Sequence, residues 1–156
     1  MKQSECLYLI KNTDRAIDAF RKISETGVSG LPVVDNDGAL CDSISVRDLR
    51  AVGTNGENFS RLFLTIQEFK SISREEFPHV APASHWTTQP VPKSARYVTP
   101  DDDFEVVIRS MNDGNMHRIF VCSQMSIDTN KPTPISVISQ RDIIYTVLRV
   151  LGTISE

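Results

Sequence analysis

Cysteine is scarce in this chain of 156 residues: Cys6, Cys41 and Cys122 are an odd, widely scattered set. Such a set builds no disulfide framework and reads as reduced thiols of a cytosolic, or also nuclear, protein. Together with His79, His85 and His117 the cysteines match no metal-ligand spacing. No apolar run approaches the length that spans a bilayer, and Met1 to Cys6 is polar, without the apolar stretch of a signal peptide. Basic excess is also missing. Lysine and arginine number 17 against 20 acidic residues, for a net charge of −3. No global field therefore holds nucleic acid or an anionic membrane. There is no phosphate-cradling glycine loop and no nucleophile elbow, so nothing points to an enzyme. The run Asp101-Asp102-Asp103 lacks further metal ligands and precedes a helical segment, where the macrodipole favours acidic residues; it is not read as a metal site.

What is present is an ordinary globular composition, 40% hydrophobic and 24% charged, arranged as a repeat. Such a chain buries a core without staples. Ala16, Ala19, Phe20 and Ile23 are apolar at helical spacing, and so are Phe104, Val107, Ile108 and Met111, 88 residues later. The same offset carries Leu31-Pro32-Val33-Val34 onto Ile119-Phe120-Val121-Cys122, two short strand-forming runs. Asp35-Asn36-Asp37-Gly38 is a hairpin turn leading to a second strand, Ala39 to Ile44. Its counterpart, Ile135 to Ile138, follows a longer polar connection, Gln124 to Thr133. Each second strand runs into a related tetrapeptide, Ser45-Val46-Arg47-Asp48 or Ser139-Gln140-Arg141-Asp142, now 94 residues apart.

Each tetrapeptide opens a helix. In the second half Ile144, Val147, Leu148 and Leu151 form its apolar face. In the first half Leu49 to Val52 starts a helix that Gly53 and Gly56 interrupt, and an amphipathic helix follows through Phe59, Leu62, Phe63 and Ile66. The leading strands are placed at Leu7 to Ile10 and Arg96 to Val98, with Thr13 and Asp101 or Asp102 as N-caps of the next helices. The unit is β-α-β-β-α, twice. Residues 1–70 hold the first repeat with a trailing helix. Residues 71–95 form a connector punctuated by Pro78, Pro82, Pro90 and Pro92, either folded over the surface with Trp86 as an anchor or partly mobile, and 96–156 hold the second repeat.

This arrangement resembles a tandem pair of CBS repeats, the Bateman module. Gly27-Val28-Ser29-Gly30-Leu31-Pro32-Val33-Val34-Asp35 with Gly38, then Ser45-x-x-Asp48, carry the likeness in the first half. His117-Arg118-Ile119-Phe120-Val121 and Ser139-x-x-Asp142 carry it in the second. Within that family the chain is most similar to the C-terminal pair of the γ regulatory subunits of AMP-activated protein kinase, as an excised fragment or a shorter relative. The His117-Arg118 pair and the segment from Val28 to Asp35 favour that subgroup. The resemblance implies an α/β (α+β) fold in which two repeats pack with pseudo-two-fold symmetry through their sheets. It also implies adenine nucleotide (AMP, ADP or ATP) in clefts between repeats, kinase α and β subunits as partners, and association of pairs into homodimers.

The residues fit such a ligand. An Asp in the first turn of a helix can accept both ribose hydroxyls, with the Ser three positions earlier donating to ribose or phosphate. That assigns ribose contacts to Ser45 with Asp48 and to Ser139 with Asp142. A lone Ser-x-x-Asp is more often a helix cap; its recurrence in register favours binding. His117 and Arg118 supply phosphate contacts, Arg as a planar fork and His as a donor whether or not it is charged. Arg141 and Arg47 either reach phosphate or stand solvated at the helix start. The resemblance implies base contacts from the segment before each first helix, which here offers Thr99 and Thr13; Thr99 can equally be a helix-entry residue fixed by Pro100. Ser29 and Gly30 replace the basic pair in the first repeat, which implies one good nucleotide site and one weak or empty one. Two other roles fit the same fold. One is a scaffold that dimerises or binds a partner, with its clefts empty or filled by side chains; the other keeps the fold but takes another ligand, such as S-adenosylmethionine or a cyclic dinucleotide.

Overall fold

A computed structural model describes residues 7–76, 96–123 and 131–152. Cys6, Trp86, the four connector prolines and residues 124–130 of the longer hairpin connection lie outside the described residues. The chain divides into two units between Ala95 and Arg96. Each contains a three-stranded sheet with helices, the mixed α and β architecture expected from the sequence.

In the first unit β1 (Ile10–Lys11) pairs parallel with β2 (Gly30–Val34), and β2 pairs antiparallel with β3 (Leu40–Ser45). A parallel pair needs a crossover, supplied by α1 (Ala16–Thr26). Gly27 ends α1 in the left-handed region, at φ +69°, and donates its N–H to the Ile23 carbonyl. The Asp35 to Gly38 segment forms the expected turn: Gly38 takes φ +81°, and the Asp35 carboxylate accepts the N–H groups of Asp37 and Ala39. Beyond β3 the helix begun at Val46 is 3₁₀ rather than α and ends at Val52, before Gly53. A second 3₁₀ turn, Phe59–Phe63, precedes α2 (Ile66–Glu76), so the expected single helix through 59–66 is two elements. Glu68 explains the break. Thr65 donates both its N–H and its hydroxyl to the Glu68 carboxylate, which starts a fresh helix and holds that carboxyl below its ordinary pKa. α2 runs past position 70, where the first repeat was expected to end.

The core of this unit joins Ala16, Ala19 and Ile23 of α1 to Leu31, Val33 and Ile44 of the sheet and to Ile66 and Phe69 of α2. The Phe20 and Phe69 rings meet edge to face, with centroids 5.8 Å apart. Backbone bonds from Ala16 to Leu64, Ile66 to Asp14 and Gln67 to Asn12 tie the start of α2 to the loop before α1.

The second unit repeats the plan: β4 (Tyr97–Val98), α3 (Phe104–Asp113), β5 (Arg118–Ser123), β6 (Thr133–Ser139) and α4 (Gln140–Val150). β4 is parallel to β5 and β5 antiparallel to β6. Its core is smaller, with Val98, Val107, Met111 and Ile119 at the centre and Ile138 and Ile143 packed against them. The stripe expected to bury α4 behaves differently. Ile143 packs against the core, while Ile144, Val147 and Leu151 are exposed among the described residues.

The N-caps differ from expectation for one shared reason. Asp14 and Asp102 turn their carboxylates back onto the N–H groups of Lys11 and Thr99, at 2.9 and 2.6 Å. Each closes a turn before the helix and pushes its start onward, so Arg15 and Asp103 are the N-caps, not Thr13 and Asp101 or Asp102.

Cys122, on β5, has no exposed surface, and burial pushes its thiol from the ordinary 9.0 up to about 11. Iodoacetamide at about pH 8 should leave it unmodified in the folded chain and alkylate it once guanidinium unfolds the protein. Rapid labelling of Cys122 in the native state, read by peptide mass spectrometry, would contradict this packing.

Candidate functional site

The two Ser-x-x-Asp tetrapeptides fold alike. Gly30 faces Ser45 across the β2–β3 ladder, and Arg118 faces Ser139 across β5–β6. The Ser29 carbonyl accepts the Val46 N–H at 3.3 Å, and the His117 carbonyl accepts that of Gln140 at 3.0 Å. In each tetrapeptide the serine N–H and hydroxyl both donate to Oδ2 of the aspartate, at 2.7 and 3.0 Å for Ser45 and at 2.8 and 2.6 Å for Ser139. Both serine hydroxyls thus serve their own aspartates rather than pointing outward. Thr65 with Glu68 and Thr99 with Asp102 make the same box. The box therefore recurs in this chain, at helix starts and, with Thr99, in the turn before one, and the surroundings must distinguish a site from a cap.

Those surroundings differ sharply. In the first unit Asp48 is buried, and its second oxygen, Oδ1, meets the Lys70 ammonium of α2 at 2.6 Å. The two side chains are only 7% and 13% exposed. Ser29 and Gly30 occupy the positions that hold His117 and Arg118 in the second unit. Arg47 is exposed.

In the second unit Asp142 is exposed, and its Oδ1 has no hydrogen-bond partner among the described residues. It sits in the first turn of α4, an 11-residue helix with Ser139 as its cap. Arg118 is the ladder neighbour of that cap, and Arg141 is exposed in the same first turn. His117 is exposed and lies one residue before Arg118, with Nδ1 2.8 Å from Oε1 of Gln140. An amide oxygen only accepts, so Nδ1 carries the proton. The Gln140 amide nitrogen faces the Met116 carbonyl at 3.5 Å, which fixes that orientation. With the proton on Nδ1, Nε2 of the neutral ring is an acceptor, a narrower role than a donor in either charge state. Gln140 was not singled out from the sequence, although its place next to the cap, opposite the His-Arg strand entry, was the available signal.

The threonines stand elsewhere. Val98 is level with Val121 in the parallel β4–β5 pair, so Thr99 follows at the level of Cys122. Arg118 is four residues back along β5, about 13 Å away at the rise of a strand. Thr13 follows β1 at the Val34 end of its sheet, whereas Ser45 pairs with Gly30 at the other end. Within each unit, then, the base-contact candidate and the Ser-x-x-Asp box lie at opposite ends of the sheet. His117, Arg118, Ser139, Arg141 and Asp142 are brought together; Thr99 is not among them.

The two aspartates should respond differently to truncation. Asp48→Ala strands a buried ammonium and should cost about 3–5 kcal/mol. Asp142→Ala removes an exposed cap partner and should cost about 0.3–1.5 kcal/mol. Urea denaturation of both variants checks this; equal losses would mean that the Lys70 pair contributes nothing to stability.

The family model for the CBS domain matches residues 4–54 and 84–149. No curated protein sequence matches the chain. Solved structures share its fold. A signal-transduction protein with CBS domains from Burkholderia ambifaria is 20% identical, with a TM-score of 0.62 over 94% of this chain and 85% of its own. CBSX2, solved in complex with AMP, is 19% identical, with a TM-score of 0.61 over 93% of this chain and 90% of its own. A Methanocaldococcus jannaschii protein described as an archaeal homologue of g-AMPK is 15% identical, with a TM-score of 0.65 over 95% of this chain and 48% of its own. With two β-α-β-β-α units in register and the family model covering most of its length, the chain belongs to the CBS domain family.

Proposed function

We propose that the protein is a regulatory module that binds an adenine nucleotide through its second unit and passes the binding event to a partner. The observation that carries this is the open, exposed Oδ1 of Asp142, beside Arg118 and His117 at the start of α4. A carboxylate held by its own cap, with one oxygen still available, is preorganised to accept ribose hydroxyls. Arg118, with His117 and Arg141, offers positive charge and donors for phosphate, and the N-terminus of α4 adds its dipole. The AMP complex of CBSX2 supports adenine nucleotide as the ligand class.

The finer assignment is an energy-sensing, γ-type subunit acting on kinase α and β subunits. The His117-Arg118 pair and the fold shared with the archaeal homologue of g-AMPK support it. In such a module the nucleotide acts only by binding two arrangements of the partner complex with different affinity.

Thermal unfolding with AMP, ADP and ATP at millimolar concentration tests the site. Ligand at about 100 times its dissociation constant adds about 2.7 kcal/mol, or very roughly 5–10 °C for a chain of this size. The shift should vanish in Asp142→Ala. A folded protein that shifts with none of the three would leave a scaffold without a nucleotide as the better description.

A further inference from the structure

We propose that Lys70 is an internal ligand that holds the first unit's Ser-x-x-Asp box closed and so limits the chain to one nucleotide site; this rests on the nucleotide function proposed above. Both oxygens of Asp48 are committed. Oδ2 accepts from the Ser45 N–H and hydroxyl, and Oδ1 meets the Lys70 ammonium at 2.6 Å. Lys70 cannot swing away at little cost. It lies four residues after Ile66 and next to Phe69, both fully buried, so its stem is packed along the face that α2 turns to the core. A ribose hydroxyl pair at Asp48 would have to displace the ammonium while bringing no charge of its own. It would leave a buried cation without its counter-ion, the arrangement proteins tolerate least. Phosphate offers no compensation, because Ser29 and Gly30 stand where His117 and Arg118 stand in the second unit.

The second unit supplies the contrast. Asp142 keeps the same bonds from its serine, yet its Oδ1 has no partner among the described residues. Besides the missing basic pair, the two boxes differ in one lysine, 22 residues along the chain from the carboxylate it occupies. Lys70 acts as a specificity-determining residue: it decides which of the two aspartates a ligand can use.

Calorimetric titration of the full chain distinguishes the possibilities. The probes are AMP and, for the first unit with its missing phosphate ligands, adenosine. The wild-type chain should take one AMP, and Asp142→Ala should lose it. Adding Lys70→Gln to Asp142→Ala should create adenosine binding that Asp142→Ala alone lacks, and Lys70→Met repeats the comparison if the glutamine variant does not fold. Two AMP per wild-type chain, or half the binding surviving in Asp142→Ala, would overturn the role of Lys70. So would a folded Lys70 variant that gains no adenosine binding. A wild-type chain that binds no AMP counts against the nucleotide function alone. In that case the gain or absence of adenosine binding in the Lys70 variants still decides for or against the internal ligand.

Discussion

A carboxylate that bends back onto the backbone N–H three residues earlier sets the course of this chain. At Ser45 and Ser139 it ends a strand and starts a helix within one residue, because the same oxygen satisfies the N–H and the hydroxyl of the capping serine. The ladder pairs Gly30 with Ser45 and Arg118 with Ser139, so the box also fixes which residue of the central strand stands beside the helix start. The character of each junction follows from that pairing. A glycine there brings no side chain to the junction, while in the second unit an arginine is the ladder neighbour of the cap. The box itself is common to both units; what the register places next to it differs between them.

The same device can serve opposite ends. Its free oxygen either meets a cation from within the protein or is offered to solvent. Inside the first unit the ion pair is nearly dry and has value as architecture: it pins α2 to the 3₁₀ turn after β3. In the second unit the carboxylate is exposed, with Arg141 in the same turn and Arg118 as the ladder neighbour of its cap. The same carboxylate box thus closes on an internal cation in one unit and stays exposed in the other, at the start of a 3₁₀ helix in the first and of an α-helix in the second.

Most of the fold was legible in the sequence because its signals are local. The 88-residue offset, the helical spacing in Ala16 to Ile23 and Phe104 to Met111, and the Asp-Gly turn each act within a few residues. The helix starts were less so. Asp14 and Asp102 compete for backbone N–H groups that precede the helix, and a cap rule that looks only forward misses that competition. The Lys70–Asp48 pair was not legible as a contact, since nothing local links positions 22 apart. A trace of it was still there. Lys70 falls inside the apolar stripe of Ile66 and Phe69, and a lysine in such a stripe calls for a buried acid. Separation of Thr99 from the Asp142 group follows from the direction of strand pairing, which composition and spacing do not report.

The two hairpins also carry a β-bulge at matching places, Val33/Val34 and Val121/Cys122. Between each bulge and its serine junction the ladders match pair for pair, and the six residues by which the second repeat outgrows the first lie beyond the bulge. Closing a loop twice as long costs only about 0.6 kcal/mol. The hairpin tip is accordingly where this fold absorbs changes in chain length: segments can be grown or trimmed there by drift or by engineering, while the alignment of Arg118 with its helix cap, fixed at the other end of the ladder, stays as it is.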